Sequence, residues 1–270
     1  MTAATRDGEK LTDEIRDIWT HGAADYDLDA GHGLITPVVE DAWLEALRGI
    51  LGDSPKDVLD VGAGTGFLSV FAAKAGHRVT GVDLSPAMLE HARKRAITMG
   101  VTVEFVEGDA MHLPFPEDSF DSVISRHVLW TMTEPQRAFA EWARVTRTGG
   151  EVIWFDGLRR HSSLPNRART LASQVAKVLS RVDDHAHSHH YSDELAARLP
   201  FRGLESTAPI RALLQELGAE DVSCRALPRL QRAERSVMEL HRRVAPGSIR
   251  YVGRFTVTPR VKAPVAALTG

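Results

Sequence analysis

The stretch Asp57-Val58-Leu59-Asp60-Val61-Gly62-Ala63-Gly64-Thr65-Gly66 constrains this chain more than any other. Val58, Leu59 and Val61 form a short apolar run bounded by turn residues, which predicts a buried parallel strand. A helix is expected to follow from about Phe67. Gly62, Gly64 and Gly66 let the chain turn sharply and let a ligand approach the main chain with no Cβ in the way. Their spacing is G-x-G-x-G. A dinucleotide fingerprint needs G-x-G-x-x-G, and its third glycine position is occupied here by Phe67.

The acid near the strand end is equally informative. Asp60 repels a pyrophosphate settling over the turn but attracts a ligand that carries positive charge. S-adenosylmethionine (SAM), with an ammonium, a sulfonium and no phosphate, has that character. A second short strand, Arg78-Val79-Thr80-Gly81-Val82-Asp83, places another acid about 20 residues on, where nucleoside-binding α/β folds hold ribose hydroxyls. Ser85-Pro86 then supplies an N-cap and first-turn proline for a helix through Met88, Leu89 and Ala92. A third strand is expected over 101–110, ending at Asp109-Ala110, a fourth over 120–127 and a fifth over 151–156. The fifth is entered through Gly149-Gly150 from a helix over roughly 134–146.

With these elements in order, the chain resembles the class I SAM-dependent methyltransferases. Within them it is similar to the small-molecule group that includes the ubiquinone and menaquinone C-methyltransferases. The likeness rests on residues 58–66, 79–85, 108–114, 115–121 and 144–154, and covers 55–157 closely. It implies an α/β, Rossmann-like fold: a seven-stranded, mostly parallel sheet with helices on both faces and a helical lid. Residues 1–50 would be the lid, 51–157 the cofactor-binding core, and 158–270 the substrate-pocket insertion and the completion of the sheet. Two departures stand out. Thr148 replaces the usual proline before Gly149-Gly150, and Arg126-His127 stand where many relatives carry a small or amide residue.

The resemblance also implies a cofactor site. The turn would contribute Asp60, Gly62, Ala63, Gly64 and Gly66, and the second strand and its helix Asp83, Leu84 and Met88. Asp109, Ala110 and Met111 would follow the third strand, Arg126 the fourth, and Tyr26 would reach in from the lid. S-adenosyl-L-homocysteine would be the product. His127, just after the fourth strand, is the candidate catalytic residue: a neutral imidazole there could take a proton from a nucleophile or orient it. The alternative is that Arg126 and His127 only line the pocket. Tyr26 reads equally as a helix-packing aromatic. Trp142 and Trp154 read as core, and Trp130 as core or as a wall of the substrate site.

Composition narrows the function classes. A net charge of −3 opposes general nucleic-acid binding, and no Asn/Asp-Pro-Pro-aromatic sequence follows the fourth strand. Arg and Lys outnumber acids over 137–182, a pattern of a solvated helical surface or of one favouring an anionic substrate. The single cysteine, Cys224, excludes an internal disulfide and a cysteine zinc site. No apolar run is long enough for a membrane span, and the polar N-terminus fits a cytoplasmic protein. His185, His187, His189 and His190 could supply metal imidazoles, but their polar flanks predict a solvent-facing loop. The expectation is a monomeric or homodimeric SAM-dependent enzyme, without metal, methylating O, N or C of a small, metabolite- or quinone-like molecule. The alternatives are a SAM-binding relative with non-methylating chemistry, an RNA or protein methyltransferase, and a non-enzymatic binding module.

Overall fold

The computed structural model describes residues 3–27, 36–159, 191–237 and 248–257. Seven strands form one sheet: β1 Asp57–Val61, β2 Arg78–Asp83, β3 Glu104–Glu107, β4 Phe120–Arg126, β5 Thr146–Arg159, β6 Glu220–Ala226 and β7 Ser248–Thr256. Their spatial order is β3-β2-β1-β4-β5-β7-β6. The first five are mutually parallel, while β7 runs antiparallel to both β5 and β6. The chain therefore reverses direction between β1, which pairs outward to β2, and β4, which begins the other half. A crevice for ligand opens at that switch point, on the carboxyl ends of the strands.

Alternation along the strands separates two cores. Leu59, Val61, Val123, Val152 and Trp154 face one side, packed with Phe139 and Trp142 of helix α5 (Pro135–Val145). Val58, Ile124, Ile153 and Phe155 face the other, packed with Trp43 of α2 (Pro37–Leu51) and Phe67 and Phe71 of α3 (Phe67–Lys74). Helix α4 (Pro86–Thr98) adds Leu89 and Ala92 to the second core. Its cap is the expected one: the Ser85 hydroxyl accepts the Met88 N–H at 3.3 Å. Ion pairs collect at the opposite, N-terminal ends of the strands, where Arg78 meets Asp57 at 2.7 Å and Arg147 meets Asp121 at 2.6 Å.

Helix α1 (Ala3–Tyr26) is a single 24-residue rod laid across the carboxyl edge of the sheet. Its Leu11 and Ile15 pack on Leu195 and Leu199 of the segment bearing α6 (Asp193–Ala197). Thr20 meets Ser85 at the head of α4, oxygen to oxygen, at 3.0 Å. Helix α7 (Ala208–Glu216) leads into β6, and α8 (Pro228–Val237) follows it. None of the helices among the described residues is long and apolar enough to cross a membrane.

Three elements differ from expectation. The third strand is only Glu104–Glu107, because the Val101 N–H still caps α4 through Ala96 O and Asp109 turns back to bridge His112. The fifth strand begins earlier, at Thr146, and carries Gly149 and Gly150 within it. A Cβ at Gly150 would lie 2.4 Å from Asp121 O, so glycine permits that close approach. Helix α8 has no counterpart in the sequence reading. Its Arg- and Glu-rich sequence leaves a thin apolar stripe, Leu230 and Ala233, which buries against the α2 core.

Candidate active site

Glycine-bearing main chain, strand ends and helix α1 enclose one large cavity, about 730 Å3 of empty space with its open mouth included. The turn after β1 forms part of the floor. Gly62, Gly64 and Gly66 all have positive φ (67°, 54° and 78°), a region costly for residues with a Cβ. Gly62 and Gly64 line the cavity, and a Cβ on Gly64 would meet nothing within 4 Å. Gly66 serves packing instead: a Cβ there would lie 2.9 Å from the Cβ of Ala92 on α4.

The acids occupy two depths. Asp83 lines the cavity, its Oδ2 accepting the Gly64 N–H at 2.8 Å and its Oδ1 the Ser85 N–H at 2.9 Å. Burial holds its carboxyl above the ordinary range, and backbone donors oppose that shift. Asp60 lies beneath the turn, 1 % exposed and outside the cavity lining. Ser69 donates to its Oδ2 at 2.5 Å, while Oδ1 has no hydrogen-bond partner. Burial pushes the Asp60 carboxyl up to about 7, the Ser69 hydrogen bond opposing and the nearby Asp83 charge adding. Ala63, 7 % exposed, belongs to the hydrophobic core and likewise does not line the cavity.

The remaining expected residues converge on this space. Leu84, Met88, Asp109, Ala110, Met111, Arg126, His127 and Tyr26 all line it. Asp109 is held by the Met111 N–H at 2.8 Å. The guanidinium of Arg126 lies 4.1 Å from the Phe67 ring centroid and 5.4 Å from that of Trp43, a cation–π seat on the aromatic rings of the second core.

His127 has the one strained backbone among these side chains, with φ 59°. For a residue with a Cβ this costs about 1–2 kcal/mol, so the surroundings must hold it. They do so through the His127 N–H, which donates to Phe155 O at 3.0 Å and extends the β4–β5 pairing past the strand end. The imidazole Nδ1 lies 3.4 Å from Asp156 Oδ1. Both side chains are nearly buried, 12 % and 11 % exposed.

The sequence reading missed several residues that line the cavity or buttress it. Thr12, Ile15 and Trp19 enter from α1, and Val128, Thr131 and Met132 from the turn after β4. Thr12, Trp19 and Tyr26 are spaced i, i+7, i+14, one face of a continuous helix, and that periodicity was the available signal. Trp19 stacks edge-on with Tyr26 at 5.7 Å and with Trp130 at 6.0 Å, and Trp130 in turn with Tyr191 at 5.8 Å. Trp130 thus buttresses helix α1 through Trp19, while Trp142 and Trp154 are fully buried core. Asp156 had no signal: its meeting with His127 depends on strand pairing. The histidine run at 185–190 and the part of the basic stretch beyond residue 159 lie outside the described residues.

The floor suits SAM. It offers Gly64 with space where a side chain would stand, Asp83 with lone pairs beyond its two backbone donors, and an incompletely bonded buried carboxylate at Asp60 for a cation to compensate. Comparison with known proteins agrees. A family model described as "Methyltransferase domain" matches residues 59–154. Demethylmenaquinone methyltransferase of Tropheryma whipplei is 32% identical over 214 residues, covering 74% of this chain and 87% of its own length. Phosphatidylethanolamine N-methyltransferase of Cereibacter sphaeroides is 40% identical over 99 residues, 36% of this chain and 48% of that one. Among solved structures, phosphoethanolamine N-methyltransferase 2 of Haemonchus contortus in complex with SAM superposes with TM-score 0.56 at 17% identity. That match covers 89% of this chain and 60% of the other. A SAM-dependent methyltransferase from Aquifex aeolicus gives 0.51 at 16% identity over 80% and 89%. The structural likenesses establish the fold, and the extended identity to a full-length relative establishes the family. This chain belongs to the class I SAM-dependent methyltransferases.

Proposed function

We propose that the chain transfers the methyl group of SAM to a small, largely apolar ring acceptor of the quinol type, and that His127 receives the acceptor's proton. The carrying observation is the mixed composition of this one cavity's lining. Its glycine and acid floor, with Asp83, Gly64 and Asp109, suits a polar nucleoside. Its apolar lining, with Ile15, Trp19, Val128 and Met132, suits a flat ring, and His127 belongs to the same lining. The demethylmenaquinone methyltransferases among the relatives support a quinol acceptor.

In this reading Asp83 accepts the ribose hydroxyls, Asp109 and Met111 flank the base, and Asp60 stabilises the cofactor's positive end through the turn above it. SAM supplies an electrophilic methyl, so the protein's main task is alignment, which alone is worth several orders of magnitude in rate. Helix α1, with Trp19 and Tyr26, excludes water and strengthens electrostatics inside. His127, in its neutral form, accepts the hydroxyl proton and raises the nucleophilicity of the ring.

The test is S-adenosylhomocysteine release with a panel of short-chain naphthoquinols and benzoquinols, with phosphoethanolamine as the contrasting polar acceptor. Turnover with the quinols and none with phosphoethanolamine is expected, with methylated product by mass spectrometry. His127→Ala should lower kcat by ~10²–10⁴ while leaving cofactor affinity nearly unchanged. Turnover with phosphoethanolamine alone would overturn the acceptor class, and an undiminished His127→Ala would remove the base.

A further inference from the structure

We propose that Asp156 is a positioning residue for His127, fixing the imidazole in the tautomer that keeps its lone pair on Nε2. The proposal rests on the reading of His127 as the proton acceptor and adds the group that would make it one.

Three observations meet at this pair. The first is geometric: His127 Nδ1 and Asp156 Oδ1 lie 3.4 Å apart, at the long end of hydrogen bonding, as unliganded sites often are. The second is how each partner is fixed. Arg126 pairs with Phe155 across β4 and β5, and the His127 N–H bonds Phe155 O, so register alone delivers Asp156 beside the imidazole. The left-handed backbone of His127 keeps the ring there rather than along the strand. Asp156 Oδ1 also accepts its neighbour Gly157's N–H at 2.7 Å, which holds the carboxylate in place. The third is burial. With both side chains little exposed, an imidazolium formed during turnover has scarce water to stabilise it and needs a fixed anion.

A histidine side chain in water prefers its proton on Nε2, which would present a donor instead of a base. A carboxylate at Nδ1 reverses that preference, because Nδ1–H then makes a charge-assisted hydrogen bond. The proton balance closes as follows. The acceptor's O–H proton passes to Nε2 as the ring carbon bonds the methyl carbon, and the C–S electron pair leaves on the sulfur of S-adenosylhomocysteine. The methylated carbon's own proton then moves to the ring oxygen, restoring the aromatic quinol. The imidazolium, paired with Asp156, later releases that proton to water.

Other charged groups bear on the same titration. Arg126 on β4 and Glu234 on α8 share with His127 and Asp156 a smaller hollow of about 200 Å3 of empty space. Asp83, Asp109 and Tyr26 share the larger cavity with His127. All are present in both wild type and an Asp156→Asn variant, so the difference between the two isolates Asp156.

The decisive experiment follows the His127 ring nitrogens by NMR in the ligand-free protein. Wild type is expected to show the Nδ1–H tautomer, with an imidazole pKa at least about one unit above that of Asp156→Asn. An Nε2–H tautomer in wild type would overturn the proposal, and that reading needs no variant to fold. In kinetics, Asp156→Asn should lower kcat roughly ten- to a hundred-fold, move the acid limb of the kcat profile to lower pH, and leave S-adenosylhomocysteine affinity within about twofold. Added to His127→Ala, it should cost little more, and Asp156→Glu should recover part of the rate. Losses that multiply in the double variant, or an acid limb that does not move, would mean Asp156 acts on the fold and not through His127. If wild type turns over none of the quinols, the acceptor assignment fails while the NMR measurement still decides the pair.

Discussion

The carboxylate of Asp83 accepts the main-chain N–H of Gly64 at 2.8 Å, tying the end of β2 to the glycine turn after β1. Two features that look independent in the sequence are one unit in the fold. With its other oxygen on Ser85, Asp83 braces the turn and the head of α4 while facing the cavity. Its replacement therefore has two consequences.

Asp83→Ala should weaken S-adenosylhomocysteine binding by roughly ten- to a hundred-fold, the loss expected for charge-assisted hydrogen bonds of about 1.5–3 kcal/mol. It should also lower the melting temperature, since the Gly64 and Ser85 N–H groups lose their acceptor. Calorimetry and thermal melting measure the two separately. Unchanged affinity in a folded variant would take Asp83 out of the cofactor site.

Asp60 gives the ligand-free protein a pH-dependent stability of defined sign. Burial raises its pKa to about 7, above the unfolded value of about 3.9, so the native state holds the extra proton between those limits. The contribution is complete below about pH 4 and lost as pH rises through about 7. Asp60→Asn, which can still accept from Ser69, should remove that slope and gain roughly 2–4 kcal/mol at pH 8. Denaturant unfolding at pH 5 and pH 8 tests it, and equal slopes for variant and wild type would contradict the buried-acid account.

Two of the turn's three glycines, Gly64 and Gly66, should fail differently. Gly66→Ala meets both a positive φ and Ala92 at 2.9 Å, and should destabilise by roughly 2–5 kcal/mol. Gly64→Ala has open space around its Cβ, so its stability cost should stay near 1–2 kcal/mol while S-adenosylhomocysteine affinity falls sharply. Paired melting and binding measurements check the contrast. Equal stability losses would refute it.

The C-terminal end of α1 is latched to the core. Thr65 donates to Asp27 at 2.7 Å, Arg95 donates to Thr65 at 3.1 Å, and Arg95 pairs with Asp27 at 2.8 Å with only 10 % of its side chain exposed. Asp27→Ala should loosen the lid and leave Arg95 underpaired, raising the S-adenosylhomocysteine dissociation rate by about tenfold. Stopped-flow displacement reads that rate. An unaltered rate would show that α1 does not gate release.

Sequence determined much of the frame. Strand and helix identities over 57–159 follow from local periodicity, glycine and proline placement and the Ser85 cap, because those signals act between residues a few positions apart. The glycine turn, Asp83, Asp109 and even His127 could be placed at strand ends for the same reason. Tertiary structure alone decided how those residues divide their work. Gly66 became a packing glycine because α4 crosses it, and Asp60 sank below the cavity where Ser69 meets it. Trp19, Thr131 and Met132 entered the site because α1 lies over the edge where the turn after β4 emerges. Asp156 met His127 because β4 and β5 pair in one register, and α8 emerged only through the burial of Leu230 and Ala233. Each is a contact between residues distant in sequence, set by packing and pairing that no local window encodes.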